Sequence, residues 1–163
     1  MDQVANWLGN VAVAQSAFRQ FLEDTLDKID EPNIRYVLSK MATAAQDHES
    51  RVQDIYHVIG RDPSDINLMM GEMMAKVNET LAFFQGLYGG AVGPWRDIQR
   101  LLMINLNSQG AFAVVEQLGL ALGLHEIEEI TFPIIHEKQT EHIVLQEYML
   151  EMAPVAILYK KDI

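Results

Sequence analysis

Apolar residues along this chain recur at alternating steps of four and three, the spacing that keeps side chains on one side of an α-helix. Val4, Leu8, Val11, Gln15, Phe18, Leu22, Thr25 and Ile29 form one such seam and predict a helix over Gln3–Ile29. Ile34, Leu38, Met41, Ala45, His48, Val52, Ile55 and Ile59 form a second. Between them, Asp30 is placed to cap the second helix. Pro32 suits its first turn, where a missing N–H costs nothing. Gly60 is the expected stop, in a left-handed position, and "RDPSD" follows as a connection.

A third segment, Asp65 to Leu87, carries Met69, Met70, Met73, Met74, Val77, Leu81 and Phe84 at helical spacing. The run "GLYGGAVGP", Gly86 to Pro94, breaks the pattern, and a long helix is expected from Trp95 to a stop at Gly123. Its seam is Ile98, Leu101, Asn105, Ser108, Phe112, Val115, Gly119 and Leu122. The last helix is expected over Glu126–Met152 with the seam Ile127, Ile130, Ile134, Glu137, Glu141, Val144 and Tyr148. Pro133 implies a kink or the start of the regular part, and Pro154 ends the helix. The tail "VAILYKKDI" is short enough to pack on the bundle or on a partner. No strand alternation, repeat or low-complexity tract competes, so the expected fold is all-α: one domain over residues 1–163, four long helices and an additional helix in the middle crossover.

Every one of the four seams is interrupted near its middle by polar residues: Gln15, His48, the pair Asn105 and Ser108, and the pair Glu137 and Glu141. Facing midpoints meet in a bundle, and a buried polar group without a partner forfeits about 1–3 kcal/mol. These groups are therefore expected to find one another. The two glutamates are protonated, paired with His48 or a lysine, bound to metal, or less buried than the seam implies. For His48 the reading is a core histidine bonded to Gln15, Glu137 or Glu141. His136 and His142 fall off the seam and are expected at the surface or rim, although a shift in register after Pro133 would bring His142 inward.

Composition narrows the chemistry. The 163 residues contain no cysteine, which removes disulfides, thiol catalysis and cysteine-ligated metal and leaves histidine and carboxylates as the strong ligands. A net charge of −11 disfavours binding to nucleic acid or to anionic lipid. No apolar run approaches the roughly 18 residues of a membrane span. The start "MDQVANWLGN" lacks a secretory pattern, so a cytoplasmic location is expected. The methionine cluster of the crossover reads as core or interface packing rather than copper or haem ligation. An apolar crossover helix predicts a homodimer formed through it. "GLYGGAVG" lacks the strand and the Gly-Lys-Ser/Thr ending of a phosphate loop, and no nucleophile stands in a recognisable catalytic motif.

The stretches "DEPNIRYVLSKMATAAQDHESRVQDIYHVIGRDP", "GPWRDIQ" and "LGLALGLHEIEEITFPIIHEKQ", together with the methionine-rich crossover, resemble the ferritin-like superfamily. Within it they resemble the small bacterial stress-associated YciF-like branch. The resemblance implies a di-metal site of one glutamate on each of two helices and a Glu-x-x-His pair on each of the other two. Those positions fall on Gln15, on Ala45 with His48, on Ser108 or Asn105, and on Glu137 with Thr140. Only His48 and Glu137 keep a strong ligand, so the di-iron centre is expected to be lost, no cofactor is expected, and the role implied is structural, stress-associated or interactive rather than catalytic. The expected polar core network is Gln15, His48, Asn105, Ser108, Glu137, Thr140 and Glu141. The alternative is a metal-binding or ferroxidase-like protein holding iron or manganese at His48, Glu137 and Glu141.

Overall fold

The computed structural model describes residues 2–62, 70–86 and 93–160. The helices among them are α1 (Asp2–Leu26), α2 (Pro32–Val58), α3 (Met70–Gly86), α4 (Pro94–Ala121) and α5 (His125–Ala153), followed by one π-helical turn over Pro154–Leu158. No strand occurs among the described residues. The expected start of the crossover helix at Asp65, Met69, and most of the glycine-rich connection after Gly86 lie outside the described residues.

Backbone groups at the helix ends decide where each helix stops. α1 ends at Leu26 rather than Ile29, because Arg35 reaches back from α2 and donates from Nη1 to the carbonyls of Leu26 at 2.8 Å and Ile29 at 3.2 Å. Ile29 stays buried all the same. α2 is capped by Glu31 and not by Asp30. Because the helix opens at Pro32, the residue before it holds the capping position, and its carboxylate accepts from the Ile34 N–H at 2.7 Å. Gly60 and Gly123 both adopt φ 71°, left-handed as expected of helix stops. α5 begins at His125 and runs through Pro133, which sits on its exposed side. Pro154 ends the α-helix, and the turn it opens closes with the Tyr159 N–H on the Pro154 carbonyl at 3.4 Å.

Cross-helix bonds fix the directions. Trp7 Nε1 donates to the Ala111 carbonyl at 3.2 Å and Lys28 Nζ to Asp97 at 3.4 Å, so α1 and α4 are antiparallel. Arg61 pairs with Asp2, and Gln46 donates to Glu23 at 3.2 Å, so α1 and α2 are antiparallel too. Trp95 Nε1 donates to the Met149 carbonyl at 2.8 Å and Asn105 Nδ2 to the Lys138 carbonyl at 2.9 Å, which sets α4 against α5. α2 and α4 consequently run the same way, and α3, in the segment between them, packs along α1. Val77 of α3 meets Val13 and Ala17, on the face of α1 turned away from its seam.

α1 packs on α2, α3 and α4, while α5 closes the circle by packing on α2 and α4. The seams read from the sequence are buried throughout α1 and α2, and in α4 all but Leu122. In α5 the register differs: Ile127, Thr131, Ile134, Lys138, Glu141 and Leu145 are buried, whereas Glu137 is exposed and Ile130, Val144 and Tyr148 are half-buried. The apolar core falls into two clusters. One holds Phe18, Leu22, Leu38, Ile98, Leu101 and Leu145. The other holds Leu8, Val52, Ile55, Phe112, Ile127 and Ile134. Between them lies a polar level.

Candidate functional site: a polar layer with a buried lysine

The middle positions of α1, α2, α4 and α5 deliver Gln15, His48, Asn105, Ser108, Lys138 and Glu141 to the interior, all of them buried. Gln15 is satisfied at both ends of its amide. Its Nε2 donates to the Ala45 carbonyl at 2.9 Å and its Oε1 accepts from the Ser108 hydroxyl at 2.8 Å. Ala45 thus enters the layer through its backbone, and its methyl side chain leaves Gln15 room to reach that carbonyl. Asn105 ties α4 to the backbone of α5 through the Lys138 carbonyl.

His48 lies at one edge. Its Nε2 stands 2.6 Å from Glu137 Oε2, the carboxylate arriving from the solvent side with 57% of its side-chain surface exposed. Burial, with the positive charge of Lys138 as the second cause, pushes the His48 imidazole below its ordinary value of 6.5, while the Glu137 hydrogen bond works against both. A neutral ring beside a carboxylate carries its proton on Nε2, donated to Glu137. Nδ1 is then left as a bare lone pair, and it has no partner.

Lys138 is the residue that sequence reasoning missed. It is fully buried, with Nζ 4.1 Å from the centre of the Phe18 ring and 5.9 Å from that of Phe112, one from each apolar cluster. Its ammonium faces π-electron density and makes no hydrogen bond. Burial pulls this amine down to about 8, against the raising pull of Glu141 and Glu137. Glu141 mirrors it: burial lifts its carboxyl to about 7, opposed by Lys138 and aided by Glu137. A cation and an acid sharing one dry layer hold each other partly ionised.

Of the expected network, Gln15 and Ser108 bond to each other, Asn105 bonds to the α5 backbone and His48 meets Glu137, whereas Glu141 feels Lys138 only through its charge, its Oε2 and the Lys138 Nζ each lacking a hydrogen-bond partner. Thr140 stands apart: it is exposed, and its hydroxyl donates to the His136 carbonyl of its own helix at 3.2 Å. His136 is exposed as expected, and His142 is half-buried. A signal for Lys138 did exist in the sequence. Continuing the four-and-three steps from Ile127 through Thr131 and Ile134 lands on it, but a lysine reads as a surface residue.

A dication does not fit this layer. Gln15, Ala45 and Ser108 supply an amide, a methyl and a hydroxyl where carboxylates are needed, and an ammonium already occupies the interior. Among the described residues no group of three His, Asp or Glu side chains is disposed to hold a metal ion. No helix among them is long and apolar enough to cross a membrane. Comparison with family models, curated proteins and solved structures finds no match to this chain.

Proposed function

We propose that this chain is a ferritin-like four-helix bundle with a long crossover. In this reading its di-metal centre has given way to a hydrogen-bonded polar layer organised by an internal ammonium, and the protein is a non-catalytic structural or interaction protein, stress-associated in the manner of the branch it resembles. The parallel run of α2 and α4 and the helix in the connection between them support the fold. The observation that carries the functional reading is Lys138: a fixed monovalent cation buried between the Phe18 and Phe112 rings at the level where a bundle of this kind would hold metal. An ammonium balances one buried carboxylate with no need of iron or manganese, and it repels a dication brought beside it.

The test is metal analysis of protein purified without chelator, then repeated after loading with iron(II) and manganese(II) and gel filtration. Substoichiometric metal in both is expected. Two tightly held ions per chain overturn the reading. The alternative site at His48, Glu137 and Glu141 is favoured by one observation, the 2.6 Å approach of His48 to Glu137. It requires that His48→Ala abolish metal uptake while the helices remain. The dimer belongs to the same reading: α3 spends Val77 and Phe84 on its own fold but leaves Met74 and Phe83 exposed. Sedimentation of Met74→Ser/Phe83→Ser against the parent measures it.

A further inference from the structure

The outer side of α5, facing away from Lys138, combines two features. Phe132, Ile143 and Leu150 are each about 60% exposed. Their spacing of 11 and 7 residues places them on one stripe of the helix, and Ile157 continues it into the π-helical turn. The exposed carboxylates Glu129, Glu147 and Glu151 border one edge of that stripe. α5 carries seven glutamates and one lysine, and the lysine is Lys138, buried on the other side. Within α5 the outer face is therefore apolar and anionic and carries no lysine or arginine of its own, the next lysine along the chain being Lys160, beyond the π-helical turn.

This composition selects the occupant. A second copy paired through α5 would set glutamates against glutamates, and an anionic lipid surface would be repelled in the same way. A helix with an apolar stripe bordered by lysine or arginine is complementary in both respects. Phe132 to Leu150 spans about 27 Å at ~1.5 Å per residue, the reach of a partner helix of about 18 residues. We propose that the α5 outer face docks a basic amphipathic helix of another protein. The proposal does not rest on the polar layer, because the docking residues and the buried lysine lie on opposite sides of α5.

The probe is an 18-residue helical peptide with leucines on one face and lysines bordering them. A second peptide of the same pattern carries glutamine for lysine, and fluorescence anisotropy against the full chain reads binding. The lysine peptide is expected to bind at least tenfold tighter than the glutamine peptide. Ile143→Ser/Leu150→Ser, which leaves the charge untouched, is expected to weaken the lysine peptide at least tenfold. Glu147→Gln/Glu151→Gln is expected to weaken it severalfold and to flatten its salt dependence. Equal binding to the serine variant and the parent overturns the proposal, since attraction would then follow net charge alone. A dimer that the serine variant dissolves overturns it as well, by showing that a second copy is the occupant.

Discussion

Replacing Lys138 with methionine removes the ammonium while keeping an unbranched chain of similar length between Phe18 and Phe112. Moving an amine from 10.5 down to about 8 on folding withholds about 3 kcal/mol of stability for as long as the group is protonated in both states. The variant recovers that amount less the ring attraction it gives up, about 1–2 kcal/mol, so at pH 7 it is expected to be the more stable protein. The pH dependence is the sharper readout. Between about 8 and 10.5 the unfolded lysine keeps its proton and the folded one has released it, so the unfolded chain binds more protons and parent stability climbs with pH. The variant lacks this climb. Without its cationic neighbour, Glu141 also titrates higher, which costs the variant more on the alkaline side and acts in the same direction. Urea unfolding followed by circular dichroism at pH 7 and in steps to 10.5 measures the difference. The advantage of the variant is expected to shrink by about 3 kcal/mol across that window. A difference that stays constant with pH refutes the idea that Lys138 holds a costly charge in the folded state.

Four further outcomes follow from the surroundings of single residues. Gln15→Ala removes both bonds of a buried amide and leaves the Ser108 hydroxyl without its acceptor, so urea unfolding is expected to show a loss of about 2–4 kcal/mol. Gly119→Ala places a methyl 2.8 Å from Ile127 Cβ, an atom bound to the α5 backbone that cannot swing aside. It is expected to cost about 1–3 kcal/mol, whereas Gly110→Ala meets nothing within 4 Å and is expected to gain up to about 1 kcal/mol from helix propensity, both read as shifts in melting temperature. Glu31→Ala, which empties the cap of α2, is expected to lose about 1 kcal/mol by the same melt.

The fold was legible wherever the seams were mostly apolar. In α1, α2 and α4 nearly every residue on the four-and-three pattern is buried, although Ala12, Val13, Ala14, Ser16, Ala17 and Phe21 of α1 are buried off it, and the pattern placed Gln15 and Ser108 at facing midpoints, where they do bond. α5 resisted because two registers compete on it. Ile130 and Val144 favour one by hydropathy, yet Thr131, Lys138 and Leu145 take the interior. The close approach of Gly119 to Ile127 pins α4 against α5, and that pairing is tertiary information no single helix carries. Lys138 escaped for the same reason: only Phe18 and Phe112, brought from two other helices, make a dry position tolerable for an ammonium. The cap at Glu31 was missed by one residue, since its longer side chain does the work ordinarily assigned to aspartate.

From Val11 to Phe18 every residue of α1 is buried, because α3 lies across the face that the other helices leave open. A helix ordinarily has a solvent side on which substitutions accumulate harmlessly. This one has none for two full turns, and four of its eight residues there, Ala12, Ala14, Ser16 and Ala17, are small. In a saturation mutagenesis scan scored by folding, "VAVAQSAF" should stand out as the least permissive stretch of the chain, with bulky replacements at the small positions rejected as firmly as polar ones at Val11 or Phe18.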